Sequence, residues 1–242
     1  MTGDRVPLPS GLEIVGRIRS PFREKFGVPR QPGLVPSARG ELIVEPPFAR
    51  PEAWRGIDGF SHVWLLFLFH LDADRRGDRL TARPPRLGGE ERLGVFATRT
   101  GFRPNGIGLS VVELRGLEIE TGSVTLRLGG LDLVDGTPVI DVKPYLPWAD
   151  AVPDARGGFA PAPPEASLEV RFSPEASAAL AGRPEREALI RELLALDPRS
   201  AWHRGEAPSR YGARLEDFDL RWEVRDGVAE VVAIVPLEET PR

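Results

Sequence analysis

IGLSVVELRGLEIETGSVTLRLGGLDLVDGTPVIDV, residues 107–142, decides the architecture. Ile107 to Leu117 reads as a strand. Val124, Leu126 and Leu128 alternate with polar neighbours, and Leu131 and Leu133 resume the alternation after a Gly129-Gly130 break. Val139 to Val142 follows. A period of two is the strand period, because successive side chains leave opposite faces of a sheet. Upstream, Phe60 to His70 holds a continuous apolar run with aromatics, which suits a strand buried on both faces. Leu93–Thr98, Gly40–Glu45 and the stretch with Leu12, Ile14 and Ile18 complete a set of short strands separated by turns. Helical periodicity is almost absent. Such a chain closes its sheet or stacks two of them, giving a mainly β fold.

Beyond Pro147 the pattern changes. Residues 150–164 are rich in Pro and Ala with Gly157-Gly158 adjacent, as in a linker or irregular crossing. Leu168–Phe172 reads as a strand, and Ser173-Pro174 is a helix start with a capping hydroxyl and proline at the first helical position. Leu189, Ile190, Leu193, Leu194 and Ala195 form a helical stripe that Asp197-Pro198 stops. Asp226-Gly227, between an alternating run (Leu220, Trp222, Val224) and Val228 onward, predicts a tight hairpin. The expected organisation is a β domain over 1–150, then a linker and small α+β domain over 151–242.

Composition excludes several functions. The 242 residues carry 32 basic and 36 acidic side chains, and 41% hydrophobic content suffices for a core. With no cysteine there are no disulfides, thiolate metal sites or Cys nucleophile, which fits a reducing compartment. Met1–Gly11 lacks the apolar core of a signal peptide, and the apolar run Val63–Phe69 is too short to cross a bilayer, so a soluble cytoplasmic protein is expected. No G-x-G-x-x-G or G-x-x-x-x-G-K-[ST] motif occurs, which argues against a Rossmann cofactor domain and ordinary NTPase chemistry. His62, His70 and His203 stand at no ligand spacing, so no metal is expected.

The charges are unevenly placed. Six bases against Glu24 lie between Arg17 and Arg39, and eight against three acids between Arg75 and Arg103. If these loops converge they attract an anion; if not, they are solvated surface. Only Lys25 and Lys143 are lysines, which hints at a need for a compact ammonium rather than a fork.

Three segments gather turn-forming and charged residues at strand ends: 23–33, 96–108 and 132–145. Arg99 and Arg103 can grip a carboxylate or phosphate. Asp132, Asp135, Asp141, Lys143 and Tyr145 offer acceptors, a cation and a phenol, although turns use the same residue types. His70 reads as a hydrogen-bonded rim histidine before it reads as a general base. The five tryptophans read as core or interface, with Trp148 and Trp202 open to base stacking.

The order and spacing of these motifs resemble the TrmO (YaeB/TsaA-like) family of tRNA methyltransferases, which act on N6-threonylcarbamoyladenosine beside the anticodon. The resemblance rests on Ile18-Arg19-Ser20-Pro21-Phe22, Pro29-Arg30-Gln31-Pro32-Gly33, Gly59-Phe60-Ser61-His62 through His70, and Arg83-Pro84-Pro85-Arg86-Leu87-Gly88-Gly89. It continues through Gly94–Arg99, Phe102-Arg103-Pro104-Asn105, Leu131–Pro138, and Asp141 with Lys143-Pro144-Tyr145. Asp197-Pro198-Arg199, Tyr211-Gly212 and Arg221-Trp222 resemble the bacterial two-domain members.

The resemblance implies a single-sheeted β-barrel that binds S-adenosylmethionine without a Rossmann domain, as a homodimer. It assigns donor contacts to Arg30, Gln31, Pro32, Gly33, His70, Leu71, Arg99, Leu109, Gly130, Leu131 and Asp132. Asp141, Lys143 and Tyr145 become the catalytic, acceptor-side candidates. Lys143 would stabilise negative charge on the ureido oxygen or pair with the threonyl carboxylate, and Asp141 or Tyr145 would help remove the N6 proton. Arg23, Lys25, Arg86 and Arg103 become the candidates for holding the tRNA anticodon arm. Competing expectations are a non-catalytic RNA-binding barrel, with tRNA affinity but no donor binding, and a methyltransferase of this fold with another acceptor.

Overall fold

A computed structural model describes residues 11–71, 80–84, 91–199 and 210–237. The first half comprises β1 (Gly16–Arg19), β2 (Gly40–Val44), α1 (Pro51–Trp54), β3 (His62–Leu68), β4 (Thr81–Ala82), β5 (Leu93–Gly94), β6 (Ile107–Glu120), β7 (Ser123–Gly129) and β8 (Pro138–Pro144). Six of these strands close into an antiparallel barrel in the order β1-β2-β7-β6-β3-β8, while β4 and β5 pair separately. The barrel is the closed-sheet alternative of the two that the alternation allows.

Alternation explains the closure. Val63, Leu65 and Phe67 of β3 point inward with Val112 of β6, Leu126 and Leu128 of β7 and Val139 of β8, and all are buried. Trp64, Leu66 and Leu68 point outward and are only half-buried. The expectation that β3 is covered on both faces is therefore corrected, because a single closed sheet has one interior.

Two further expectations change. Leu93–Thr98 is not one strand: β5 stops at Gly94 and Val95–Ala97 form a 3₁₀ turn, closed where the Thr98 hydroxyl donates to the Val95 carbonyl at 3.0 Å. Leu131 and Leu133 are buried as their alternation suggests, yet β7 ends at Gly129 and Gly130 (φ +65°) turns the backbone out of the sheet.

The second half follows with α2 (Pro147–Asp150), β9 (Glu169–Phe172), α3 (Pro174–Ala179), α4 (Pro184–Ala195), β10 (Arg210–Leu215), β11 (Phe218–Arg225) and β12 (Val228–Pro236). Ser173 caps α3 by accepting from the Ala176 amide at 3.1 Å. Asp226 (φ +49°) and Gly227 (φ +78°) make the hairpin turn between β11 and β12. The sheet runs β10-β11-β12-β9, its last pair parallel. The stripe Leu189, Ile190, Leu193 and Leu194 of α4 belongs to its core.

The connection between β1 and β2 is not a barrel loop alone. Its Phe22, Val35 and Ala38 are buried in the second half's core rather than the barrel's. Phe22 bridges to Leu215, the Glu216 amide donates to the Pro21 carbonyl at 2.7 Å, and the Arg23 amide donates to the Arg214 carbonyl at 3.2 Å. Residues 20–39 thus form a strap that leaves the barrel, docks on the α+β unit and returns. Among the described residues no helix is long and apolar enough to cross a membrane.

Candidate functional site

The strap, the end of β3, the 98–103 loop, the start of β6 and the turn after β7 converge on one cleft of about 440 Å³. That is the size of a site for a nucleoside-sized ligand. Phe67 and Phe69, edge to face at 5.2 Å, are among its walls. Glycines make room for them: a Cβ on Gly108 would stand 2.3 Å from the Phe67 ring, and one on Gly101 would stand 3.1 Å from the Phe69 ring.

Polar groups clasp the rim. The Arg99 guanidinium donates to Gln31 Oε1 at 2.6 Å, tying the 98–103 loop to the strap. Lys25 Nζ donates to the Leu71 carbonyl at 3.4 Å. Arg103 turns back on its own loop and donates to the Thr98 carbonyl at 3.1 Å. At the far side the strap meets the turn after β7 backbone to backbone, with the Gly33 amide donating to the Gly130 carbonyl at 2.9 Å. A Cβ on Gly130 would lie 3.1 Å from Gly33 Cα, so this crossing requires glycine.

Asp132 is the site's unusual group. Its Oδ1 is buried without a hydrogen-bond partner. Burial pushes the carboxyl up to about 6, against the smaller opposing pulls of a Ser110 hydrogen bond and the Arg99 charge. The nearby His70 imidazole is pushed below its ordinary range, first by burial and then by the charges of Arg17 and Lys25.

The Asp132 shift has a measurable consequence. A native state that favours the protonated carboxyl gains its full contribution below about pH 4 and loses it as pH rises through about 6. Asp132→Asn should therefore stabilise the free protein at pH 8, by about 2 to 3 kcal/mol, and much less at pH 4. Thermal melts at both pH values check this. An equal change at both would contradict it.

The structure brings Arg30, Gln31, His70, Leu71, Arg99, Leu109 and Asp132 together as lining of the cleft, with Lys25 and Arg103 beside them. Pro32, Gly33, Gly130 and Leu131 are not in the lining. Gly33 and Gly130 build the backbone crossing behind it, and Leu131 is buried with its amide donating to the Ala38 carbonyl at 3.0 Å. Arg23 faces Asp135 at 2.5 Å and donates to the Glu216 carbonyl at 2.9 Å, away from the cleft. Arg86 and Trp202 lie outside the described residues. Trp148 lies in the first turn of α2 with 84% of its surface exposed.

Asp141, Lys143 and Tyr145 do not line the cleft. Asp141 and Lys143 lie on the outward face of β8 and Tyr145 just past its end; Lys143 Nζ lies 2.9 Å from an Asp141 oxygen, and the Tyr145 ring lies 6.0 Å from that of Trp64. They are nevertheless reached from the cleft over one continuous surface. Leu66 of β3 is paired on one side with Leu109 and on the other with Asp141. Residues opposite one another share a face, so Asp141 stands two strand spacings, about 10 Å, from a cleft residue.

Sequence reading gave no role to Phe67, Phe69 and Ser110 in the lining, and none individually to Thr98 and Thr137, although both lie in segments it singled out. For Ser110 a signal existed: it is in phase with inward-facing Val112, and a hydroxyl at a core position needs a polar reason.

Comparison with known proteins agrees with this geometry. Residues 17–151 match the tRNA-methyltransferase O N-terminal domain, and residues 165–237 match the TrmO C-terminal domain. The chain is 51% identical over 230 residues to the Escherichia coli (strain K12) protein named tRNA (adenine(37)-N6)-methyltransferase, covering 93% of this chain and 97% of that protein. It is 52% identical over 213 residues to a Pseudomonas aeruginosa protein named putative S-adenosylmethionine-dependent methyltransferase RcsF, covering 86% and 90%. The crystal structure of TrmO from Pseudomonas aeruginosa superposes with a TM-score of 0.77 at 44% identity, covering 94% of this chain and 99% of that one.

Proposed function

The chain belongs to the TrmO family, and from that premise we propose how its cleft and the ledge beside it share the family's chemistry. It is an S-adenosylmethionine-dependent methyltransferase acting on N6 of adenine 37 in tRNA. The observation that carries our division of labour is the convergence of the strap, the 98–103 loop and the 130–132 turn on one cleft.

The residues present fit the methyl donor. Phe67 and Phe69 offer apolar walls, Arg30 and Arg99 offer forks for its carboxylate, and buried Asp132 Oδ1 awaits a hydroxyl or a positive group. Bound there, S-adenosylmethionine supplies an electrophilic methyl group. Arg99, clasped by Gln31, orients it, and the phenyl rings keep water out. Gly33 and Gly130 hold the back of the site by their backbones, with Pro32 and Leu131 next to them in the chain.

The acceptor lies over the outward faces of β3 and β8. We propose N6-threonylcarbamoyladenosine, whose urea-like N6 needs its proton removed as the methyl group arrives. Lys143 stabilises the charge that develops on the ureido oxygen. The Asp141 carboxylate, within ion-pair distance of Lys143, takes the N6 proton, and Tyr145 flanks the base beside Trp64. Lys25 and Arg103, with Arg23 further out and Arg86 in the adjoining basic stretch, meet phosphates of the anticodon arm. The working assembly is a homodimer in the cytoplasm. Exposed Leu71, Phe102 and Leu109 near the cleft supply the apolar surface that a second copy requires.

Incubation of the purified chain with methyl-labelled S-adenosylmethionine and tRNA carrying the modified adenosine tests the acceptor. Nucleoside mass spectrometry should find one added methyl group on that adenosine and none on tRNA lacking the modification. Equal methylation of both tRNAs would refute the proposed acceptor.

A further inference from the structure

Between β1 and β2, Lys25, Val28, Pro29, Arg30 and Gln31 line the cleft, yet no barrel strand holds this part of the strap. Its anchors lie in the other half of the molecule. The Phe26 ring lies parallel to the Trp222 indole of β11, with centroids 5.8 Å apart and planes 6° apart. Tyr211 of β10 stacks with the same indole at 5.8 Å and 28°. The Arg199 guanidinium lies 5.7 Å from the Tyr211 ring centre. Arg199 is held in turn by a buried two-point pair with Asp197, at 2.8 and 3.0 Å. The Arg199 carbonyl then accepts from the Arg30 guanidinium at 3.2 Å, which brings the chain of contacts back to the strap.

This ladder is more than core packing. Phe26 is 36% exposed, too open for a core residue. Trp222 Nε1 is buried without a partner, so the indole serves through its faces. Asp197 takes a left-handed conformation (φ +49°) just beyond α4, where its carboxylate reaches Arg199.

We propose that the α+β unit positions the donor site: the ladder Phe26, Trp222, Tyr211 and Arg199 with Asp197 fixes the strap at residues 26 and 30, so that Arg30 and Gln31 face the cleft already ordered. These are positioning residues. None of the four on the α+β unit lines the cleft. The inference rests on the reading of the cleft as the donor site. Preordering a binding loop removes an entropy cost from ligand binding and leaves the chemical step alone.

Steady-state kinetics of the full chain, with both substrates varied, tests this. Phe26→Ala should raise the KM for S-adenosylmethionine about five- to tenfold, the worth of one stacked pair. The kcat at saturating donor and the tRNA affinity should stay within about twofold. Phe26→Tyr, which keeps the ring, should restore the donor KM, and Arg199→Ala should shift it in the same direction as Phe26→Ala. A donor KM unchanged in Phe26→Ala overturns the inference. A fall in tRNA affinity with donor KM unchanged also overturns it and makes the ladder an RNA surface. If calorimetry finds no S-adenosylmethionine binding to the wild-type chain, the donor-site reading itself falls, and the inference with it.

Discussion

Arg99→Ala is expected to weaken S-adenosylmethionine binding by about 2 to 3 kcal/mol, roughly 30- to 150-fold. Two losses add. The guanidinium no longer meets the donor carboxylate, and the 2.6 Å clasp that ties its loop to Gln31 disappears. Arg99→Lys keeps the charge but not the fork, so it should fall between the two. Calorimetry measures all three proteins. Methylthioadenosine provides the internal control, because it has the nucleoside and sulfur but no carboxylate. Its affinity should change far less in Arg99→Ala than that of S-adenosylmethionine. An equal loss for both ligands would mean that Arg99 shapes the cleft and does not bind the carboxylate.

The second large effect is on rate. Lys143→Ala should slow single-turnover methylation about a hundredfold, the usual worth of one donor aimed at a developing oxyanion. Its fold should be intact. The Lys143 side chain is 62% exposed and its pair with Asp141 lies on the surface, where such pairs add little stability. Melting temperature should therefore barely move while the rate collapses. Lys143→Arg keeps a cation at the wrong reach and should recover part of the rate. A variant that reacts at the wild-type rate when saturated, but binds modified tRNA more weakly, would reassign Lys143 to the threonyl carboxylate.

Much of the architecture was legible in residues because it is periodic. Alternation in residues 107–142 places β6, β7 and β8, and Asp226-Gly227 places the last hairpin. Burial of Leu131 and Leu133 was legible, but their backbone was not, since alternation reports burial and Gly130 alone turns the chain out of the sheet. β10 gave little signal, as its polar pattern Arg210–Leu215 gains meaning only beside β11. In the site, motif order singled out the loops that converge on the cleft. What each group does depends on partners far away in the chain. Asp132 is a turn aspartate until the fold buries one of its oxygens, and Arg103 is a spare cation until its loop curls back to the Thr98 carbonyl. The separation of Asp141, Lys143 and Tyr145 from the cleft likewise follows from register, which no single segment encodes.

The strap between β1 and β2 also bears on how this polypeptide can be divided. A cut in the proline-rich stretch near Gly157 looks harmless on paper, yet Phe22, Val35 and Ala38 would stay with the first fragment while their oily surroundings left with the second. Both pieces would carry an incomplete hydrophobic core. A truncated first fragment would expose a greasy seam and cling to whatever covered it, so engineers who want the barrel alone must redesign those three side chains before shortening the gene.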